Sequence, residues 1–167
     1  MKQPVLVLIK PDGIKKQLLG DILSKFIQTK LALIAIRPVE VSRLLAEKHY
    51  QHLKEKPVFE QIVFYLIGQF HAQKVLLAMI FYGESAVKKC RHVAGATNPE
   101  EAEPTSIRGV YGRITTEGLY ENVVHVSSNS KESEREIKLW FDPEDIIINI
   151  FPTRMKTVRA QKMRIWA

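Results

Sequence analysis

The 167-residue chain has a formal charge of +7 and one cysteine, Cys90. Its length suits one α/β domain with a substantial core, and no apolar run is long enough to span a membrane. A lone cysteine excludes an intrachain disulfide and, with no signal-peptide pattern at the N-terminus, points to a reducing, cytoplasmic setting.

The charge is uneven. Residues 151–167 hold Arg154, Lys156, Arg159, Lys162 and Arg164 and no acid, leaving 20 Lys and Arg against 18 Asp and Glu, or +2, for residues 1–150. The expected division is a single domain over 1–150 and a basic extension over 151–167. Such an extension can meet nucleic acid, anionic lipid or a neighbouring subunit. Without interleaved aromatic residues, a solvated or subunit-packing tail is preferred.

Val5 to Ile9 is continuously apolar, which predicts a central strand covered on both faces. Pro11-Asp12-Gly13 should end it in a turn. Leu18, Leu19, Ile22, Leu23, Phe26 and Ile27 recur at helical spacing and predict one buried stripe. Leu31 to Ile36 reads as the second strand. Ser42 is an N-cap for a helix carrying Leu44, Leu45, His49 and Leu53, stopped by Pro57. With a second helix over 59–67 it forms an inserted helical hairpin.

Val75 to Tyr82 is the third strand, and a helix follows over 85–93. Cys90 lies there among Lys88, Lys89 and Arg91, cations that can depress a thiol pKa, although a buried helix cysteine is the preferred reading. Gly95 to Gly109 has no apolar period, and such a length of irregular backbone in a compact domain is usually functional. Val123 to Val126 is the fourth strand, a helix starts near Ser130, and Asp142-Pro143 opens another. The order β-α-β-(αα)-β-α-loop-β-α is, without its hairpin, the split β-α-β ferredoxin-like arrangement, an α/β (α+β) fold with a four-stranded antiparallel sheet.

His125 is the principal chemical candidate. It ends a β-branched run, as a strand would deliver an imidazole to a sheet edge, and Glu136 follows eleven positions later. A neutral imidazole can attack phosphorus while a carboxylate on the next helix holds its second nitrogen. No Walker A sequence or kinase Gly-rich loop is present, and His49 and His52 lack obvious metal co-ligands.

Five segments in order carry a resemblance: Leu8-Ile9-Lys10-Pro11-Asp12-Gly13, Gly95-Ala96-Thr97-Asn98-Pro99, Ser106-Ile107-Arg108-Gly109, Asn122 to His125, and Leu139-Trp140-Phe141. Over about residues 5–146 the chain closely resembles nucleoside diphosphate kinases. The resemblance implies transfer of the terminal phosphoryl group from a nucleoside triphosphate to a diphosphate through a phosphohistidine. It implies His125 as nucleophile, Glu136 as the carboxylate orienting it, and Lys10 on phosphate and ribose. Tyr50 would lie near the phosphohistidine, Arg91, Thr97 and Arg108 would bind phosphate, and Asn122 would hold a ribose hydroxyl. Magnesium (Mg2+) would arrive with the nucleotide, and the assembly would be a hexamer or tetramer.

Departures mark the base site. Val58 stands in Lys56-Pro57-Val58-Phe59 where the family places a Phe that stacks on the base. Val126 follows the histidine where a small residue is usual, Ser128 replaces an acid, and Val110 stands in place of another. Gly68–Lys74 and Tyr111–Glu121 look longer than usual, which leaves open whether Leu119 is the second base contact. Two rival readings remain: a non-catalytic family member that binds nucleotide or nucleic acid, and a nucleic-acid module acting through its basic tail.

Overall fold

The computed structural model describes residues 1–157. Its elements in chain order are β1 (Lys2–Ile9), α1 (Pro11–Lys15), α2 (Leu19–Ile27), β2 (Ala32–Glu40), α3 (Arg43–His49), α4 (Phe59–Leu66), β3 (Val75–Glu84), α5 (Ala86–Ala94), α6 (Ile107–Tyr111), β4 (Arg113–Ile114), β5 (Tyr120–Glu121), β6 (Val124–Val126) and α7 (Ser130–Trp140). The main sheet has the order β2-β3-β1-β6 and is antiparallel throughout. This is the ferredoxin-like α+β arrangement that the element order predicts.

Central β1 is apolar on both faces because both are covered. Val5, Val7 and Ile9 join Ile22 and Phe26 of α2 and Val87 and Cys90 of α5 in one core. Leu6 and Leu8 join Ala46, Val63, Leu66, Ile137 and Trp140 of α3, α4 and α7 in the other. Each fully buried aliphatic side chain contributes about 1.5–3 kcal/mol. Burial also pushes the Cys90 thiol up to about 12, against the lowering influence of Lys89, so the cations beside it do not activate it.

Several expectations need correction. Pro11-Asp12-Gly13 is not a turn but the start of α1, with Pro at its first position, where the missing N–H costs nothing. The α2 stripe is narrower than its apolar pattern, since Leu19 and Ile27 are exposed. The helix capped by Ser42 stops at His49, and a 3-10 turn covers Gln51–Leu53. The loop after Gly95 contains a 3-10 turn (Pro99–Glu101) and the start of α6. Helix α7 does start at Ser130, capped by Asn129, whose side chain accepts from Glu132 N–H at 2.9 Å. Asp142-Pro143 opens only a 3-10 turn.

The β4–β5 hairpin had no signal in the apolar pattern. Its two-residue strands pair Arg113 with Glu121 and Ile114 with Tyr120. Among the described residues no helix is long and apolar enough to cross a membrane. Arg154 and Lys156 of the basic extension are exposed, whereas Arg159, Lys162 and Arg164 lie outside the described residues.

Candidate active site

The approach to β6 is strained. Val123 has φ +52°, a left-handed conformation unusual for a β-branched residue. Its carbonyl accepts from Lys10 N–H at 2.8 Å, and its own N–H donates to Asp12 Oδ2 at 3.1 Å. Its side chain is fully buried. Three anchors therefore hold the turn between Asn122, beside Lys10, and the strand carrying His125.

Strand alternation sets the side-chain directions along β6. Val124 and Val126 enter the core with α2 and α5. His125 pairs across from Leu8, whose side chain belongs to the opposite core, where α3 and α7 pack. There Glu136 Oε2 accepts from His125 Nε2 at 3.0 Å and from Ser127 Oγ at 2.6 Å, and Arg135 Nη2 lies 3.8 Å from Oε1. Burial opposes ionisation of Glu136, but the His125 charge and hydrogen bond, with the Ser127 hydroxyl, hold its pKa below the ordinary value. An ionised carboxylate only accepts, so His125 carries its proton on Nε2 and keeps a free lone pair on Nδ1. Burial lowers the His125 pKa, and Glu136 only partly offsets it.

His49, at the end of α3, packs edge-on against His125 with ring centroids 4.4 Å apart. Trp140 Nε1–H donates to His49 Nδ1 at 3.1 Å. Indole is a donor only, so the His49 proton sits on Nε2, which is buried without a partner. Burial, then the charge of His125, hold its pKa well below the ordinary imidazole range. Among the described residues, one group of three His, Cys, Asp or Glu side chains has donor atoms close enough for a metal: His49, His125 and Glu136, all within 4.8 Å.

Cations surround the imidazole. Lys10 Nζ donates to Asn122 Oδ1 at 2.7 Å and lies 4.7 Å from the centre of the Tyr65 ring. Its burial lowers the ammonium pKa to about 7. Asn122 Nδ2 in turn donates to the Thr97 carbonyl at 2.8 Å. Arg108 donates from Nη1 to the Gly95 carbonyl (2.9 Å) and from Nη2 to Val124 O (3.0 Å), while its buried Nε has no partner. Burial, and then the charge of Arg91, bring the Arg108 pKa down to about 10. Gly95 is required here: its φ is +86°, and a Cβ would overlap Ser106 Oγ.

Of the residues expected from sequence, Lys10, Tyr50, Val58, Thr97 and Asn122 line one cleft of about 400 Å³. His125, Glu136 and Arg108 do not line it, but His125 feels the charges of both Lys10 and Arg108. Tyr50 is buried, edge-on to His49 at 4.6 Å, and its phenol pKa is raised by that burial. Arg91 is exposed and its guanidinium makes no hydrogen bond among the described residues; it joins the site only through its charge beside Arg108.

The sequence reading missed Ser127, His49 with Trp140, Tyr65, and Tyr120 on the hairpin. Ser127 could have been found, because it is two residues beyond His125 on the same strand face. His49 and Trp140 are 91 positions apart and meet only through packing.

The nucleoside diphosphate kinase family model matches residues 3–146. The nucleoside diphosphate kinase of Pyrococcus furiosus is 40% identical over 141 residues, covering 84% of this chain and 84% of that protein. The Synechocystis enzyme is 38% identical over 140 residues, covering 84% and 88%. A halophilic nucleoside diphosphate kinase from Halobacterium salinarum, solved with CDP, superposes with a TM-score of 0.79 at 30% identity, covering 89% of this chain and 93% of that one. One from Borrelia burgdorferi, solved as a transition-state mimic with vanadate and ADP, gives 0.78 at 27% identity, covering 89% and 92%.

The electrostatics of this pair give a signed expectation. In an NMR titration the His125 ring should protonate below its ordinary midpoint of 6.5. Glu136 raises that midpoint, so Glu136→Gln should move it lower still. A midpoint that rises in the variant would contradict an ionised Glu136 beside His125.

Proposed function

The chain belongs to the nucleoside diphosphate kinase family, and from that premise we propose that His125 carries the phosphoryl group between nucleotides. The protein is an enzyme that moves the terminal phosphoryl group of a nucleoside triphosphate to a nucleoside diphosphate through a phosphohistidine. The observation that carries the assignment is the Glu136–His125 hydrogen bond at 3.0 Å on Nε2, which leaves Nδ1 unprotonated.

In the first half-reaction the Nδ1 lone pair attacks the γ-phosphorus. The bond to the β–γ bridging oxygen breaks, and the diphosphate leaves with that electron pair. Glu136 steadies the charge gained by the ring, while the proton stays on Nε2. In the second half a terminal oxygen of the acceptor diphosphate attacks phosphorus, and the N–P electron pair returns to Nδ1. Lys10, Arg91 and Arg108 offset charge on the transferring oxygens, with the Thr97 hydroxyl as a further phosphate contact. Asn122 and Lys10 hold the ribose, and Tyr50 borders the reacting ring. Burial depresses the pKa of Lys10 and Arg108, so arrival of a polyphosphate favours their charged forms.

Magnesium enters as part of the nucleotide substrate. The grouped His49, His125 and Glu136 do not fit it: a hard cation prefers oxygen, and these donor atoms already serve one another and Trp140. Residues 1–150 act as one catalytic domain, with 151–167 as a basic appendage, and the lone, buried Cys90 supports a cytoplasmic setting.

Labelling with γ-phosphate-labelled ATP tests the assignment. The wild-type protein should take up acid-labile label and discharge it to a diphosphate. His125→Ala should lose several orders of magnitude of exchange, roughly the cost of deleting a covalent nucleophile, with its fold retained. Near-normal turnover, or acid-stable label, would rule it out.

The active species is a homo-oligomer, a hexamer or tetramer. Ile147 is exposed, and Ile148 lines an apolar groove with Ile137, Phe141, Ile146, Ile150 and Phe151, a surface that a neighbouring subunit would cover. Light scattering at assay concentration should report an assembly, and a fully active monomer would overturn this reading.

A further inference from the structure

The cleft lining is chemically mixed: Lys10, Thr97 and Asn122 are polar, while Leu53, Val58, Ile62, Leu119 and Tyr120 are aliphatic or aromatic. A nucleotide whose phosphates sit by Lys10 and His125 leaves its nucleoside to the aliphatic and aromatic part of that lining. That part needs a flat surface if it is to hold a base by stacking. Val58, 41% exposed, offers only a branched aliphatic one.

Among the described residues three aromatic side chains line the cleft, and two are already committed. Tyr50 is 9% exposed and edge-on to His49, and Tyr65 is 1% exposed with the Lys10 ammonium over its ring. The third, Tyr120, is 39% exposed. Strand alternation separates it from the polar side of its hairpin. Glu121, its neighbour, is occupied by Arg113 Nε (2.6 Å), His71 Nε2 (2.9 Å) and Lys16 Nζ (3.5 Å). Partial burial opposes its ionisation, but the Arg113 and His71 hydrogen bonds and the Lys16 charge bring its pKa down to about 2. Tyr120 therefore lies on the opposite strand face from this ion cluster.

The hairpin is braced relative to the polar residues of the cleft. Thr115 N–H donates to Leu119 O, and Gly118 N–H to Thr115 O, both at 2.9 Å. Leu119 N–H donates to Thr115 Oγ1 at 3.2 Å. Gly118 supplies the φ of +77° that the turn requires. Two residues beyond Tyr120, Asn122 is fixed to Lys10 and to the Thr97 carbonyl.

The geometry points to Tyr120 as the base platform: the nucleobase stacks on its ring, with Val58 and Leu119 supplying aliphatic surface in the same cleft. Specificity toward the base then resides on the β4–β5 hairpin. The inference rests on the nucleotide reading of the cleft.

Calorimetry on the unphosphorylated full-length protein tests it, with ADP, CDP and inorganic pyrophosphate as probes. Base–aromatic stacking is lost on alanine substitution, so Tyr120→Ala should weaken ADP about tenfold or more and CDP less. Pyrophosphate, which has no base, should bind as to wild type, and Tyr120→Phe should keep ADP affinity within about twofold of wild type. In turnover Tyr120→Ala should raise KM for diphosphates at nearly constant kcat. If Tyr120→Ala binds ADP like wild type, or loses pyrophosphate equally, Tyr120 is no base platform. If the wild-type protein binds neither ADP nor pyrophosphate, the nucleotide reading itself falls.

Discussion

The chemistry of this fold depends on a carboxylate kept ionised where water hardly reaches. Glu136 is 3% exposed. An isolated buried carboxylate would be protonated, since desolvation costs several kcal/mol. Here the imidazole Nε2–H and the Ser127 hydroxyl donate to one oxygen, and Arg135 stands near the other. That pairing sets the tautomer of His125, and the tautomer decides which nitrogen can act. Helix α7 makes the pairing possible by packing Ile137 and Trp140 beside Leu6 and Leu8 of β1.

The other groups keep the imidazole neutral and reactive by excluding water. His49 adds no charge, because burial and the bond from Trp140 leave it neutral with its proton on Nε2. Lys10 and Arg108 are also buried, and their polar partners are mainly carbonyl oxygens, of a side-chain amide or the main chain. They are therefore fixed in position by carbonyl oxygens, with the buried Asp12 charge favouring the Lys10 ammonium against desolvation. In the proposed mechanism an incoming polyphosphate meets positive charge that needs little rearrangement, the condition under which electrostatic stabilisation is most effective. The left-handed Val123 is the backbone cost of setting Asn122 and His125 on either side of one turn.

The legible parts of this molecule were those governed by local periodicity. The continuous apolar run of β1, the Ser42 cap and the alternation through Val124, His125 and Val126 each have a physical signature a few residues long. His125 and Glu136 were readable because a strand end and the next helix lie close in sequence. Pro11-Asp12-Gly13 misled because Pro and Asp serve turns and helix N-termini equally well. His49 and Trp140 meet through tertiary packing that no local window contains, whereas Ser127, two residues beyond His125, lay within reach of the alternation. The β4–β5 hairpin is two residues deep on each strand, too short to carry a period, and it takes its order from the Arg113–Glu121–His71 cluster. The hairpin that carries Leu119 and Tyr120 was thus the least legible part of the cleft lining.

The regiochemistry of the phosphorylated ring tests the central claim most directly. Protein phosphorylated with ATP and held at alkaline pH can be read by nitrogen–phosphorus correlation NMR, with peptide mapping to identify the residue. Because Glu136 occupies Nε2, phosphorus should be found on Nδ1 of His125. Phosphorus on Nε2, or on any other side chain, would contradict the claim.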